Sequence, residues 1–82
     1  MIPRKRIRVH TYSGYRADER PVSFGWGQKK ILIKRVLRQW IEERVPAGGE
    51  RKTRFLVEGL DGETYQLCYH HQEGIWILED NP

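Results

Sequence analysis

Short apolar runs separated by turn residues constrain the fold of this chain more than any other feature. Turn residues follow three of these runs: Gly27, then Asp61-Gly62, then Gln72-Glu73-Gly74. In residues 6–12 and 21–26, apolar side chains alternate with polar or small ones, which is the period-two pattern of a half-buried strand. Asp-Gly between two apolar runs is the strongest short-range signal for a β-hairpin. The sequence therefore predicts an antiparallel meander of five or six strands.

Two of the runs, residues 31–33 and 75–78, are apolar at every position. A flat sheet with one buried face does not need such runs, whereas a strongly bent sheet or a small barrel does. The predicted fold class is therefore all-β, a strongly bent antiparallel sheet or barrel of five to six strands. Its predicted core is Ile7, Val9, Val22, Phe24, Ile31, Ile33, Leu37, Leu56, Leu67, Tyr69, Ile75 and Ile77.

Residues 31–45 fit two kinds of secondary structure. Apolar side chains recur at spacings of three and four, the stripe of an amphipathic helix, at Ile33, Val36, Leu37, Trp40 and Ile41. The alternative fold is therefore α+β, with one helix at about 34–44. We favour a strand, because no capping residue precedes Lys29 and two glutamates stand where a helix end prefers cations. This strand would bend at a bulge near Lys34-Arg35 and continue to about Ile41, and Trp40 is expected to be largely buried in either case.

The predicted hairpin fixes a register between its two strands. A two-residue turn at Asp61-Gly62 places Leu56 opposite Leu67 and Phe55 opposite Cys68. Leu56 would then share the core face with Leu67, and Phe55 would point the other way.

A chain of 82 residues has room for one small domain, which we place at 1–82. We expect a basic N-terminal arm at 1–6 and a flexible loop at 45–52. One cysteine forms no internal disulfide, and no apolar run approaches the roughly 18 residues of a membrane span. Residues 1–25 also contain no apolar run typical of a signal peptide. We therefore expect a cytoplasmic protein of bacterial type with no membrane association.

No motif for catalysis is evident. The chain contains no phosphate-binding glycine loop, no nucleophile elbow and no metalloprotease motif. Cys68 falls inside a predicted strand, which suits a buried side chain better than a nucleophile. Cys68, His70, His71 and His10 lack the paired spacing of a zinc site. We expect no catalytic residue, no metal and no cofactor, and hence a protein that is not an enzyme.

Charge is unevenly distributed along the chain. Residues 1–41 carry eleven basic and two acidic side chains, a net charge of +9, whereas residues 42–82 carry four basic and nine acidic ones, a net charge of −5. Either the two halves neutralise each other as neighbouring strands, or the first half forms a basic face for an anionic partner. The candidate binding residues are Arg4, Lys5, Arg6, Arg8, Trp26, Lys29, Lys30, Lys34, Arg35 and Arg38. Tyr12, Tyr15, Trp26 and Trp40 are candidates for stacking on nucleobases.

A longer pattern runs through residues 20–79. It consists of Pro21-x-x-Phe24-x-Trp26, an apolar strand ending in Trp40, a hairpin from Phe55 through Asp61-Gly62 to Leu67, and a closing Trp76-x-Leu78. This pattern resembles a small bacterial family of domains of unknown function. Some members are encoded beside, or attached to, translesion polymerase-like proteins, so the resemblance implies an accessory role around DNA. It implies no catalytic residue.

These observations favour a non-enzymatic binding or adaptor module that docks to a protein partner in DNA-related processes. The alternative is direct binding of nucleic acid through the basic face. The two differ in their response to salt, because phosphate contacts weaken steeply with ionic strength and an apolar docking surface does not.

Overall fold

The computed structural model describes residues 5–12, 20–44 and 49–79. In this part of the chain there are six strands and no helix. The strands are β1 Lys5–Thr11, β2 Pro21–Trp26, β3 Lys29–Arg44, β4 Glu50–Gly59, β5 Thr64–His70 and β6 Ile75–Glu79. The all-β prediction is confirmed, and the alternative helix at 34–44 is wrong, because those residues belong to β3.

Each strand pairs in antiparallel fashion with the next one along the chain, and β1 pairs with β6 to close a barrel. The closing contact is short, since it joins Lys5 to Leu78 and ends where Ile7 meets Trp76. Neighbours in sequence are thus neighbours in space throughout the barrel.

Strand β3 is 16 residues long and bends around the barrel with the help of two bulges. Its pairing with β4 shifts between Ile33 and Arg35, as predicted, and again between Val36 and Arg38. Each bulge adds one residue to a strand, so the residues that face inward are no longer spaced by two. Ile33 and Val36, three residues apart, both pack against the core. The helix-like spacing in the sequence is therefore the signature of a doubly bulged strand.

The hairpin between β4 and β5 has Asp61 and Gly62 at its tip, as predicted. Its loop is one residue longer than a two-residue turn, because the amide of Gly62 donates to the carbonyl of Gly59 and the amide of Gly59 donates to Glu63. Gly62 has a φ of 85°, which makes it the left-handed residue of a three-residue loop.

The longer loop shifts the predicted register by one residue. Phe55 lies opposite Leu67, and Leu56 lies opposite Gln66. A shift of one residue moves every side chain to the other face of the strand. Phe55 is consequently the buried residue, with 0% exposure, and Leu56 is only partly buried on the outer face.

Of the twelve predicted core residues, five lie in the buried cluster and two more pack against it. The buried cluster consists of Ile7, Val9, Phe24, Ile31, Phe55, Val57, Leu67, Trp76 and Leu78, and Ile33 and Tyr69 pack against it while partly exposed. Val22 and Leu37 were wrongly assigned to the core, since they are 38% and 45% exposed. Both occur where the pairing shifts, Val22 opposite the step from His10 to Thr11 and Leu37 at the second bulge of β3.

The last strand also has the opposite phase to the predicted one. Trp76 and Leu78 are buried, whereas Ile75 and Ile77 are intermediate. Leu78 lies opposite Leu67, and this pairing turns the even-numbered residues of β6 inward.

The structure corrects three further predictions: the bounds of the N-terminal arm, the bounds of the loop, and the burial of Trp40. β1 begins at Lys5 and β4 at Glu50, so parts of the predicted arm and of the predicted loop are strand, while residues 1–4 and 45–48 lie outside the described residues. Trp40 is only partly buried, because it pairs with Arg54, whose side chain lies on the outer side of β4.

Candidate functional site

A basic surface is built on the outer side of β1, β2 and β3. Arg8, Gly25 and Lys30 occupy one row across the three strands, since Arg8 pairs with Gly25 and Gly25 pairs with Lys30. Strands in a sheet are spaced by about 4.8 Å, so the backbones of Arg8 and Lys30 are about 10 Å apart. We define the basic face as this row together with Arg6 on the same side of β1, and with Lys5 and Lys29 at the adjoining end of the barrel, where both contact Trp26.

The middle of the basic face is a shallow depression of about 130 Å³, with His10 and Ser23 in its lining. Gly25 is required there, because a Cβ at this position would lie 2.3 Å from the carbonyl oxygen of Lys29. Arg8 spans the glycine, and its Nη2 donates to the carbonyl oxygen of Gly27 at 2.9 Å. This hydrogen bond holds the guanidinium beside the turn that carries Lys29 and Lys30.

Trp26 lies at the edge of the basic face. The Nζ atoms of Lys5 and Lys29 lie 5.4 and 5.2 Å from the centre of its ring, and the ring of Phe24 is stacked at 6.2 Å. These cation–π contacts anchor the two lysines. Trp26 therefore organises the cations and is not an open platform for stacking.

The other stacking candidates do not converge on this surface. Tyr12 is highly exposed just beyond β1, and Trp40 lies on β3 with the Arg38 guanidinium 5.4 Å from its ring centre. Tyr15 lies outside the described residues. Tyr12 and Trp40 therefore lie at separate places on the barrel.

Most of the ion-paired carboxylates in residues 42–79 pair with cations of the same half of the chain. Glu42 pairs with Arg54 at 3.1 Å, Glu43 with Arg51 at 3.4 Å and Glu50 with Lys52 at 3.1 Å. The hydrogen bond from Arg54 lowers the pKa of Glu42 from its ordinary value. These pairs occupy Arg51, Lys52 and Arg54, which follow residue 41, and leave the described cations of β1 and of the β2–β3 turn without an ion pair to a described carboxylate.

Among the candidate residues that the structure describes, Arg35 is the exception, since its Nε lies 3.0 Å from Glu58. Within residues 5–12, 20–44 and 49–79, no carboxylate forms an ion pair with the five cations of the basic face. Neutralisation by a carboxylate of the second half therefore describes Arg35. A basic face describes the cations of β1 and of the β2–β3 turn.

Three of the remaining candidate residues lie away from this surface. Lys34 and Arg35 line a different depression, beside Arg20 and the start of β2. Arg38 lies further along β3, opposite Leu56. Arg4 is outside the described residues. The structure thus brings together about half of the predicted binding residues.

A second polar cluster lies on the outer side of β4, β5 and β6. Arg54 Nη1 pairs with the buried carboxylate of Glu79, and the Gln66 amide donates to the same oxygen at 3.0 Å. Cys68, opposite Arg54, is fully buried, and burial raises the pKa of its thiol to about 11. A thiol of this kind is protonated at neutral pH and is a poor nucleophile. In the described part of the chain, no group of three or more His, Cys, Asp or Glu side chains is placed to hold a metal ion.

The sequence carries a signal for one part of the site and little for another. Ser23 and Gly25 alternate with larger residues in β2, which indicates that something approaches closely above them. His10 was considered only as a weak metal ligand, and its place at the rim of the depression follows from the pairing of β1 with β2.

The fold and the site define the protein as a closed, six-stranded, antiparallel β-barrel with a cationic outer face. Comparisons with protein-family models, with curated proteins and with solved structures find no match to this chain. The described residues include no helix long and apolar enough to span a membrane. The family resemblance, the cytoplasmic location and the bacterial origin stay predictions.

Proposed function

We propose that this barrel is a non-enzymatic binding module that holds the phosphate backbone of a nucleic acid on its basic face. The observation that carries the proposal is that Arg8, Lys29 and Lys30 line one depression above Gly25 and form no ion pair with a described carboxylate. Phosphates are bound by such clusters of Lys and Arg, and their binding releases counterions.

The shape of the surface supports the same ligand. Ser23 and Gly25 give the basic face a low floor, and Arg8 and Lys30 stand on either side of it. A phosphate that enters this depression meets cations from two strands. The backbone of β2, fixed between them, sets their separation.

The test is a titration with a short single-stranded oligonucleotide at several salt concentrations. The variant carries Lys29→Glu and Lys30→Glu. Its matched control carries Lys34→Glu and Arg38→Glu, which changes the net charge by the same amount on β3, away from the basic face and likewise at cations with no ion pair to a described carboxylate. We expect the first variant to bind at least about tenfold more weakly, and the slope of log affinity against log salt to fall by about 1–2.

Equal affinity of the two variants, or no binding by the unmodified chain at low salt, would contradict the proposal. Circular dichroism and urea unfolding of both variants establish that they fold. The comparison then reports on the position of the charge and not on its amount.

A second candidate function, docking to a protein, is favoured by the open edge of β3. Among the described residues, β2 covers this edge only from Lys29 to Leu32. Beyond it, Leu37 and Ile41 are 45% and 56% exposed. An uncovered edge with apolar side chains accepts an additional strand from a partner.

The two candidates are separated by their variants. Docking along β3 is expected to be abolished by Leu37→Lys with Ile41→Lys, to survive Lys29→Glu with Lys30→Glu, and to depend little on salt. A partner whose binding shows the opposite pattern uses the basic face instead.

A further inference from the structure

A cleft opens where β1 separates from β6. The two strands pair only up to Ile7 and Trp76. Beyond this point, β1 continues beside β2, and a cleft of about 400 Å³ is left between β1 and the turn that precedes β6. Its lining is formed by Arg8, Val9, His10, Tyr69, Gly74 and Trp76.

One wall of the cleft is aromatic and firmly held. The ring centres of Tyr69 and Trp76 are 5.0 Å apart, and the fully buried ring of Phe55 lies 5.5 Å from that of Trp76. Val9, buried in the core, contributes an apolar floor. The two rings are tilted by 53° and Trp76 is only 8% exposed, so the cleft offers a planar ring an apolar contact made mainly by the partly exposed Tyr69.

Gly74, in the turn before β6, forms part of the lining of the cleft. This residue has a φ of 69°, and a Cβ placed on it would come no closer than 3.9 Å to a neighbouring atom, the hydroxyl of Tyr69. The lining at this point therefore consists of backbone only.

The cleft and the basic face are adjacent. Arg8 and His10 line both the cleft and the depression above Gly25, so β1 forms the ridge between the two. A ligand with an anionic group on one side of this ridge therefore brings its neighbouring group to the aromatic wall on the other side. A nucleotide unit, with a phosphate and a planar base joined by a sugar, has this arrangement.

We propose that the cleft receives an unpaired nucleobase and that the domain therefore binds single-stranded in preference to double-stranded nucleic acid. The inference rests on the proposed function, because the basic face must hold the backbone. Bases in a duplex are stacked and paired, and a strand must be single for one of its bases to contact aromatic side chains. The aromatic wall adds affinity without reading the sequence, because every base has a π-face.

The first experiment uses the unmodified chain and three probes of equal length: a single-stranded oligonucleotide, the same strand with abasic sites throughout, and a duplex. The abasic strand keeps every phosphate and loses every base. We expect it to bind about tenfold more weakly than the normal strand, with an unchanged salt slope, since base–aromatic stacking is worth on the order of a factor of ten per base. The duplex is expected to bind more weakly than the single strand.

Equal affinity for the normal and the abasic strand would overturn the cleft proposal and leave the basic face intact. Absence of binding to all three probes would overturn both proposals. The two failures are thus distinguishable in one series of titrations.

The second experiment locates the base. A variant with Trp26→Phe and Trp40→Phe keeps Trp76 as its one tryptophan. We expect its fluorescence to be quenched by the normal strand and not by the abasic strand. A matched variant, Trp76→Phe, keeps Trp26 and Trp40 and is expected to show little of this difference. Quenching that is confined to the second variant would place the base elsewhere and refute the assignment.

Discussion

Replacement of Phe55 by alanine is expected to be far more destabilising than replacement of its neighbour Leu56. Phe55 has 0% exposure and packs against the ring of Trp76, so its truncation leaves a cavity in the centre of the barrel. Such changes cost about 3–5 kcal/mol. Leu56 lies on the outer face, opposite Arg38 and Gln66, where truncation leaves no enclosed cavity and costs about 1–1.5 kcal/mol.

The predicted order depends on the register of the hairpin. With a two-residue turn, Leu56 would point inward and Phe55 outward, because successive side chains of a strand point to opposite faces. Leu56→Ala would then be the more destabilising change. The assay is urea unfolding of the two variants and of the unmodified chain, followed by tryptophan fluorescence. A domain of this size has a stability of roughly 4–12 kcal/mol, so Phe55→Ala lies near the limit of folding.

Val57→Ala provides a milder reporter of the same face. Val57 is also fully buried, two residues along β4, and its truncation is expected to cost about 2 kcal/mol. The structural reasoning is refuted if Leu56→Ala lowers the free energy of unfolding more than Phe55→Ala or Val57→Ala does.

The remaining predictions concern single groups. Gly62→Val is expected to cost about 1–2 kcal/mol in urea unfolding, because φ is 85° there, whereas the control Glu63→Val costs under about 0.5 kcal/mol. Burial, and then the hydrogen bond to Asp61, raise the pKa of Tyr65 from 10.0 to about 12. The stability from this shift is present below pH 10 and is lost as the pH rises toward 12, so we expect the unmodified chain to lose more stability over this interval than Tyr65→Phe. The thiol of Cys68, with a pKa of about 11, is expected to react with a thiol reagent at neutral pH only after unfolding in urea; rapid reaction of the native chain would show that Cys68 is accessible.

The kind and order of the strands follow from local patterns. Alternation marks β1 and β2, and turn residues mark the ends of β2, β4 and β5. Since each turn is tight, consecutive strands are neighbours, and the meander follows without tertiary information. The positive charge of the first half is likewise visible in the sequence, and the turn at Gly27 predicts that Lys29 and Lys30 stand at a hairpin tip.

Where a loop or a bulge contains an extra residue, only the tertiary structure decided which side chains of the strand point inward. One additional loop residue inverts β4 relative to β5, and bulges turn Val22 and Leu37 out of the core. Residues 75–78 of β6 are all apolar, so only the pairing of Leu78 with Leu67 decides which of them point inward. Side-chain period and strand register are coupled, so an insertion of one residue has consequences along the whole strand.

The candidate site, too, is determined partly by the sequence and partly by the tertiary structure. The sequence determined which residues are basic, because charge belongs to residue type, and it determined that β1 adjoins β2. It did not determine which cations remain available, because that depends on which carboxylates come within reach of them. Arg35 meets Glu58 across β3 and β4 and is neutralised, whereas Arg8 and Lys30 meet across Gly25 and are not. The cleft beside Trp76 exists only because the closing pairing of the barrel ends at Ile7, and the place where two distant strands part is a property of the folded barrel alone.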